Sequence, residues 1–243
     1  MFQTFFTIFF LLHLLGDFYL QTNMLARKKE TSYRFTLLHC LIYAIPFAVF
    51  PLLVSQPWSM VTPVLVLIGS HFIIDTVKFF LQRSGRFSKT RLYVVDQLLH
   101  ILTLAALAFW CGWQFVVLEP NFWINALLFT AGISGQTALI WLTMLLALAK
   151  PANITIKQLV GQYKPQEQEE VIVNAGAAIG TLERIIMLLL LGAGQYAAIA
   201  LVLTAKSIAR YEMLKDKDFA EYYLLGTLLS ILCVLVLFLG LAR

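Results

Sequence analysis

The segment Ser-His-Phe-Ile-Ile-Asp-Thr-Val-Lys, residues 70 to 78, places a histidine and an aspartate inside an apolar run that extends from residue 61 to residue 81. A run of that length is sufficient for a helix that crosses a bilayer, which needs about 20 residues. On such a helix His71 and Asp75 are one turn apart and share a face. Ionisable side chains within a membrane span are costly, so they usually face a protein interior and indicate a functional site.

The same pairing of histidine and aspartate recurs in two other apolar segments. His13 precedes Asp17 by four residues, and Asp96 precedes His100 by the same interval in reverse order. His39 is the remaining histidine, and it also lies in an apolar segment. Three of the four histidines therefore have an aspartate at helical spacing, which indicates one shared site.

The composition is that of a membrane protein. The chain has 243 residues, of which 60% are hydrophobic and 13% are charged, and its mean hydropathy is +0.81. Soluble domains carry about 25% charged residues. We therefore predict an all-α, polytopic transmembrane bundle of about eight helices (seven or eight), in one transmembrane domain, 1–243. Residues 1–112 form its four-helix part with the His/Asp motifs. Residues 113–243 form the C-terminal helices, with a polar cytoplasmic loop at about 150–170.

The apolar runs predict where the helices begin and end. Gly132, Ser134 and Gly135 predict a kink in the long fifth helix, and a short interfacial helix is expected at 154–160. The N-terminus has no basic region and no small-residue cleavage site, so it is expected to be a membrane helix and not a removed signal peptide. The predicted helices are 2–22, 35–54, 63–82, 92–112, 122–149, 171–191, 195–211 and 219–242.

The net charge of +5 is explained by topology and not by nucleic-acid binding, because the basic residues lie in short loops between apolar runs. The positive-inside rule puts these loops in the cytoplasm and both termini on the outer side. This orientation is unchanged if the sixth and seventh helices form a re-entrant hairpin. The basic groups are Arg27, Lys28, Lys29 and Arg34; Arg83, Arg86, Lys89 and Arg91; Lys150, Lys157 and Lys164; and Lys206, Arg210, Lys215 and Lys217.

This orientation brings the histidines and aspartates to one depth, near the cytoplasmic face. Imidazole and carboxylate suit zinc, manganese or iron, and seven such groups exceed what one tetrahedral ion needs. We therefore predict one or two divalent ions, with some aspartates orienting imidazoles. The alternative is a set of His–Asp hydrogen bonds that hold the helices together. Cys40, Cys111 and Cys233 are interpreted as packing residues. The candidate metal ligands are His13, Asp17, His39, His71, Asp75, Asp96 and His100.

Other charged residues in the apolar segments are candidates for catalysis or substrate binding. The candidate catalytic groups are Asp17, Asp75, Asp96 and Glu183. Lys78, Lys206 and Arg210 are candidate ligands of an anionic substrate, although the last two would also suit headgroup contacts. Glu183 and Arg184 are adjacent and do not face each other on a helix, so each is expected to pair with another helix.

Several motifs resemble a bacterial membrane family catalogued as domain of unknown function 3307. The resemblance rests on His-Leu-Leu-Gly-Asp-Phe-Tyr-Leu-Gln-Thr at 13–22, His-Phe-Ile-Ile-Asp at 71–75 and Asp-Gln-Leu-Leu-His at 96–100, and it continues at 180–184, 195–210 and 219–230. It implies a multi-pass protein of the bacterial cytoplasmic (inner) membrane, and the family name implies no activity. The pattern is also similar to membrane-bound metal-dependent hydrolases, which raises that expectation only by analogy.

These observations predict a metal-dependent hydrolase at the cytoplasmic membrane face, with a lipid-like substrate and no nucleic-acid partner. Oligomeric state does not follow from them. A metal-ion or proton transporter is the first alternative, but the outer halves of the first four helices are almost wholly apolar, whereas a carrier needs polar groups near the midplane. A non-catalytic membrane scaffold with a polar packing layer is the second.

Overall fold

A computed structural model describes residues 1–114, 118–120, 124–126, 130, 132, 134–164 and 175–242. The regular elements of this part of the chain are helical, apart from one isolated bridge between Val54 and Pro120. The helices are α1 (Phe2–Leu14), α2 (Asn23–Lys29), α3 (Tyr33–Val49), α4 (Pro57–Arg83), α5 (Lys89–Trp113), α6 (Gly135–Leu148), α7 (Lys150–Val160), α8 (Ala175–Gly192), α9 (Tyr196–Ala209) and α10 (Lys217–Leu241).

The chain divides into two compact units, Met1–Thr143 and Met144–Arg243. In the first unit α1 packs on α5, α5 on α4, and α4 on α3. The π-helical segment Leu15–Tyr19, which continues α1, packs on α3 and closes this ring of four helices. The short helix α2 lies against α3.

An apolar cluster fills one end of the first unit. It is formed by the N-terminal halves of α1 and α4 and the C-terminal halves of α3 and α5, where the side chains of Phe9, Phe47, Met60 and Ala108 are almost completely buried. The opposite halves of the same helices carry the predicted histidines and aspartates. The four helices therefore separate an apolar end from a polar end.

The second unit is organised around α8, which packs against α7, α9 and α10, while α7 also packs on α10. Helix α6 ends at Leu148, and Ala149, with φ −80° and ψ −105°, interrupts the helical path before α7 begins at Lys150. A short helix at the predicted position is thus confirmed, and it begins four residues earlier than expected. Its location at a membrane interface stays a prediction.

Among the residues that the structure describes, seven helical segments are long and apolar enough to cross a membrane, which agrees with the predicted multi-span helical fold. Helix α9, the predicted seventh span, has 14 residues and a length of about 21 Å. That is shorter than the roughly 30 Å hydrocarbon core. The qualifying segments are Phe2–Tyr19, Tyr33–Leu53, Trp58–Arg83, Lys89–Trp113, Gly135–Tyr163, Ala175–Gly192 and Lys217–Leu241.

Some predicted boundaries are wrong, and proline explains one of them. Helix α4 begins at Pro57 and contains Pro63, where the sequence predicted its start. Proline is tolerated at the first helical position, so Pro57 can begin the helix while Pro63 lies inside it. The first predicted basic loop contains α2, with Thr22 accepting a hydrogen bond from the Leu25 amide at its start. The predicted starts at 122 and 171, and Glu167, Glu169 and Glu170 of the polar loop, lie outside the described residues.

Candidate metal centre

The ring of four helices brings all seven predicted metal ligands together in one buried layer, called the histidine layer here. Each is buried; Asp17, the most accessible, is only 6% exposed. Their contacts confirm that these residues meet in one layer, while the depth of that layer in a membrane stays a prediction. The layer consists of His13 and Asp17 from α1 and its π-helical extension, His39 from α3, His71 and Asp75 from α4, and Asp96 and His100 from α5.

The π-helical turn places Asp17 in this layer. Single π-helical turns inside α-helices are rare and occur frequently at functional sites. Gly16, within the turn, allows α3 to approach closely, because a Cβ atom there would lie 2.7 Å from Cδ2 of Tyr43 and 3.1 Å from its backbone oxygen. The His13 Nε2 atom is 3.9 Å from Asp17 Oδ2.

His39 and His71 form one side of the layer. Their Nε2 atoms are 3.3 Å apart. His39 Nε2 also lies 3.1 Å from Asp17 Oδ1 and 3.4 Å from Asp75 Oδ2. Two imidazole nitrogens and two carboxylate oxygens thus converge within a space that a metal ion would fit.

His100 and Asp96 form the other side. His100 Nε2 lies 3.6 Å from Asp75 Oδ1 and 3.6 Å from Asp96 Oδ1. Lys78, a predicted substrate ligand, donates a 2.7 Å hydrogen bond to Asp96 Oδ2. Asp75 therefore lies between the two sides and directs one oxygen to each.

Gln97 links the carboxylates of Asp17 and Asp96 through their Oδ2 atoms. Its Nε2 atom donates to Asp17 Oδ2 and to Asp96 Oδ2, at 3.1 Å in each case. The Oδ1 atoms of both aspartates are thereby left facing the histidines. Such outer hydrogen bonds fix the orientation of metal-ligating carboxylates.

Tyr43 supports the histidines on α1 and α4. Its hydroxyl is 3.2 Å from His13 Nδ1, and its ring stacks on His71 with a centroid distance of 3.4 Å and an interplanar angle of 4°. The hydrogen bond at Nδ1 leaves His13 Nε2 facing the layer. A metal-ligating histidine is normally held through its other nitrogen in this way.

Several buried atoms of the layer have no hydrogen-bond partner among the residues that the structure describes. They include His13 Nε2, His100 Nε2 and Asp96 Oδ1. Buried polar atoms are nearly always satisfied, so each exception needs an explanation. A divalent metal would provide one, because four groups of three potential ligands have donor atoms within 4.8 Å of one another. These groups are His13/His71/His100, Asp17/His39/His71, Cys40/His71/Asp75 and Asp75/Asp96/His100.

Two lysines balance part of the negative charge of the three aspartates. Lys29 Nζ is 3.3 Å from Asp75 Oδ2 and 3.9 Å from Asp17 Oδ1. Lys78 pairs with Asp96. Buried charges require such compensation. The same lysines line a small cleft that reaches Asp75, together with Glu30 and Gln82.

Sequence reasoning missed the roles of Lys29, Tyr43 and Cys40. Lys29 was assigned to a loop as a topology signal, yet α2 brings it onto the aspartates. Tyr43 is one turn after His39 on the same face of α3, which was the available signal. Cys40, interpreted as a packing residue, belongs to one potential ligand group.

The remaining predicted site residues belong to the second unit. Lys206 donates a 2.6 Å hydrogen bond to Glu183. Lys206 and Arg210 both lie over the ring of Tyr223. Arg184 is 1% exposed. The expectation that Glu183 and Arg184 each pair with another helix is confirmed. The catalytic role of Glu183 and the substrate-binding roles of Lys206 and Arg210 stay predictions.

Arg184 forms what is called the arginine cluster here, with Asn153, Thr181 and Ser230. Its Nε donates to the Leu148 carbonyl at 2.8 Å, its Nη1 to Ser230 at 3.2 Å, and its Nη2 to Asn153 at 2.5 Å and to Thr181 at 3.4 Å. The Leu148 carbonyl is at the end of α6, where an arginine also complements the helix dipole.

Comparisons with known proteins identify a family and no function. The model of the family described as "Protein of unknown function (DUF3307)" matches residues 5–128, which contain the complete histidine layer. No curated protein and no solved structure matches the chain significantly. The match spans half of the sequence, and the chain therefore belongs to the DUF3307 family.

Proposed function

We propose that this protein is an integral-membrane, metal-dependent hydrolase with an amphiphilic or lipid-like substrate. The supporting observation is the histidine layer, in which ligand atoms lie within 4.8 Å of one another while buried nitrogen and oxygen atoms lack partners among the described residues. A divalent zinc, manganese or iron ion bound there would supply Lewis acidity and make water a competent nucleophile near neutral pH.

The chain's own residues have complementary tasks in this proposal. The cleft beside Asp75 gives water access to the layer. Lys29 and Lys78, which line it, favour an anionic substrate, and the aspartates accept protons from water. Glu183 as acid or base, with Lys206 and Arg210 as substrate ligands, remains part of the proposal for the second unit.

We place the site at the cytoplasmic face of a bacterial inner membrane, with both termini outside. The support is the clustering of basic residues in alternate connections. Lys89 at the start of α5 donates a 2.9 Å hydrogen bond to Glu30, which follows α2, so two basic connections lie at the same end of the first unit. Both termini lie on one side if α9 crosses the membrane despite its short length, or if α8 and α9 form a re-entrant hairpin.

Transport across the first unit is less well supported. The end opposite the histidine layer is filled by buried apolar side chains, including Phe5, Phe9, Phe47 and Leu67. An ion path needs polar groups or water along its length. A scaffold with a polar packing layer accounts for the lysine–aspartate pairs and not for the unpartnered atoms.

The test is the metal content and activity of the full-length protein in detergent, beside a His71→Ala/Asp75→Ala variant. We expect near-stoichiometric metal by plasma mass spectrometry in the wild type and its loss in the variant. Chromogenic phosphate and carboxylic esters should be hydrolysed, with loss of activity on chelation and recovery on adding metal.

A matched control is Thr103→Ala on α5, whose hydroxyl donates to the Leu99 carbonyl of its own helix; it should retain both properties. A well-folded wild type, never exposed to chelator, that holds no metal would contradict the proposal. Metal binding without hydrolysis of any amphiphilic ester would reject the enzymatic part.

A further inference from the structure

Two of the four potential ligand groups in the histidine layer share no residue. One set is Asp17, His39 and His71, and the other is Asp75, Asp96 and His100. Each offers three donor atoms within 4.8 Å of one another, and three protein ligands with an open position are typical of a catalytic metal site. We infer that the layer is a dinuclear centre in which Asp75 bridges two ions, and that its substrate is a phosphoryl ester.

The orientation of Asp75 is the main support for a bridge. Its Oδ2 lies 3.4 Å from His39 Nε2 in the first set, and its Oδ1 lies 3.6 Å from His100 Nε2 in the second. A carboxylate whose two oxygens face different ligand sets is placed to bind one ion through each oxygen. In the second set, His100 Nε2 and Asp96 Oδ1 have no hydrogen-bond partner among the described residues.

Gln97 provides independent support, because it donates an equivalent hydrogen bond to Asp17 and to Asp96. It binds the outer oxygen of each aspartate at 3.1 Å. One inner oxygen is thereby presented to each set: Asp17 Oδ1 is 3.1 Å from His39 and Asp96 Oδ1 is 3.6 Å from His100. A mononuclear site would have no need of this matched arrangement.

His13 lies between the two sets. It shares a potential ligand group with His71 of the first and His100 of the second. His13 is 1% exposed, and its Nε2 atom has no hydrogen-bond partner among the described residues. It is therefore available to either ion, and it is the seventh ligand that a single ion would not need.

The substrate class follows from the two-ion arrangement and from the cations at the cleft. Two-metal sites stabilise both the attacking and the leaving oxygen of an in-line displacement at phosphorus. Lys29 and Lys78 line the access to Asp75 and favour a phosphate group over a neutral ester.

Water adds to phosphorus, and the bond to the alcohol oxygen breaks with its electron pair on that oxygen. One water proton is transferred to the same oxygen, which gives the free alcohol and hydrogen phosphate.

This inference rests on the proposed function, and the experiment is designed to separate the two. The full-length protein in detergent is titrated with Mn²⁺ alone, and bound metal is counted in the wild type, Asp17→Asn, Asp96→Asn and Asp75→Asn. We expect two ions in the wild type and one in each of Asp17→Asn and Asp96→Asn. Asp75→Asn should weaken the binding of both ions by tenfold or more.

Electron paramagnetic resonance of the wild type supplies a readout that does not depend on variants folding. Two ions bridged by Asp75 should give an exchange-coupled Mn²⁺ signal, and Asp17→Asn and Asp96→Asn should give signals of isolated ions. Binding of one ion, with an uncoupled signal, would overturn the dinuclear inference and leave the hydrolase proposal standing.

The substrate class is tested with matched chromogenic esters. A phosphate ester should be hydrolysed at least tenfold faster than the carboxylic ester of the same alcohol, and inorganic phosphate should inhibit. Preference for the carboxylic ester would overturn the substrate class while supporting a hydrolase. No metal and no hydrolysis at all would overturn both proposals.

Discussion

The histidine layer of the first unit and the arginine cluster of the second are both polar groups inside apolar helices, yet they are satisfied differently. In the arginine cluster each of the three guanidinium nitrogens of Arg184 donates a hydrogen bond to the protein. In the histidine layer, by contrast, His13, His100 and Asp96 have buried atoms without such partners among the described residues. A complete network needs nothing further, whereas an incomplete one indicates a ligand.

Whether the buried polar atoms have hydrogen-bond partners distinguishes a structural polar group from a ligand-binding site better than the free-energy cost of burial does. Both sets contain charges that are expensive to place within a membrane span, so cost alone would assign a function to each. The Glu183–Lys206 pair at 2.6 Å, with Thr227 beside it, also belongs with the satisfied groups. The scaffold interpretation that competes with the metal site therefore suits the arginine cluster much better than it suits the histidine layer.

The largest effect on stability is expected from Arg184→Met, which should weaken folding without removing metal. The substitution leaves the Leu148 carbonyl and the Asn153 side-chain oxygen without their donor, and each buried polar group left unsatisfied costs about 1–3 kcal/mol. Thermal unfolding in detergent measures the loss, and plasma mass spectrometry measures the metal. Arg184→Lys is a useful companion, because a lysine cannot donate in three directions from one plane.

The opposite result would break the comparison. If Arg184→Met remained folded and lost its metal, the arginine cluster would be needed for the metal centre. If it unfolded at the wild-type temperature, the hydrogen bonds around Arg184 would contribute little, and a fully partnered group would no longer be a sign of structural importance.

The histidine layer could be predicted from the sequence because its residues occur at regular helical spacing. The i, i+4 spacing of His71 and Asp75, repeated in two other segments, shows which residues share a helix face. The alternation of basic connections predicts the direction of each helix and hence the depth of each pair. Facing and depth together determine which side chains can meet in a ring of four helices, and the contacts between the pairs confirm this prediction.

Features that depend on local irregularity were not predictable in this way. The π-helical turn at Asp17 adds a residue to one turn, and a 3.6-residue period contains no sign of it. Lys29 reaches the layer because α2 folds back onto α3. Short helices in charged connections are decided by tertiary packing more than by propensity.

A smaller effect is expected from Gly16→Ala, which sharpens the comparison from within the histidine layer. The new Cβ atom would lie 2.7 Å from Cδ2 of Tyr43 and 3.1 Å from its backbone oxygen, so α3 must shift. Such overpacking costs about 1–3 kcal/mol. Because Tyr43 holds His13 and stacks on His71, Mn²⁺ affinity should also fall.

Gly69→Ala is the matched control, since nothing lies within 4 Å of its added Cβ atom and it is two residues before His71 on α4. It should be neutral or slightly stabilising, as alanine is favoured over glycine in a helix. Equal metal affinity in Gly16→Ala and the wild type would show that Tyr43 does not position the histidines.

The smallest effect is expected from Lys29→Met, which should strengthen metal binding. The Lys29 ammonium lies 3.3 Å from Asp75 Oδ2, so it competes with a cation for the same carboxylate. Removing it should raise Mn²⁺ affinity about tenfold, which corresponds to about 1.4 kcal/mol. Lys28→Met is the control, because the Lys28 ammonium lies over the Phe35 ring. Unchanged or weaker binding in Lys29→Met alone would mean that Lys29 completes the network as Arg184 does, and the two regions would then be alike.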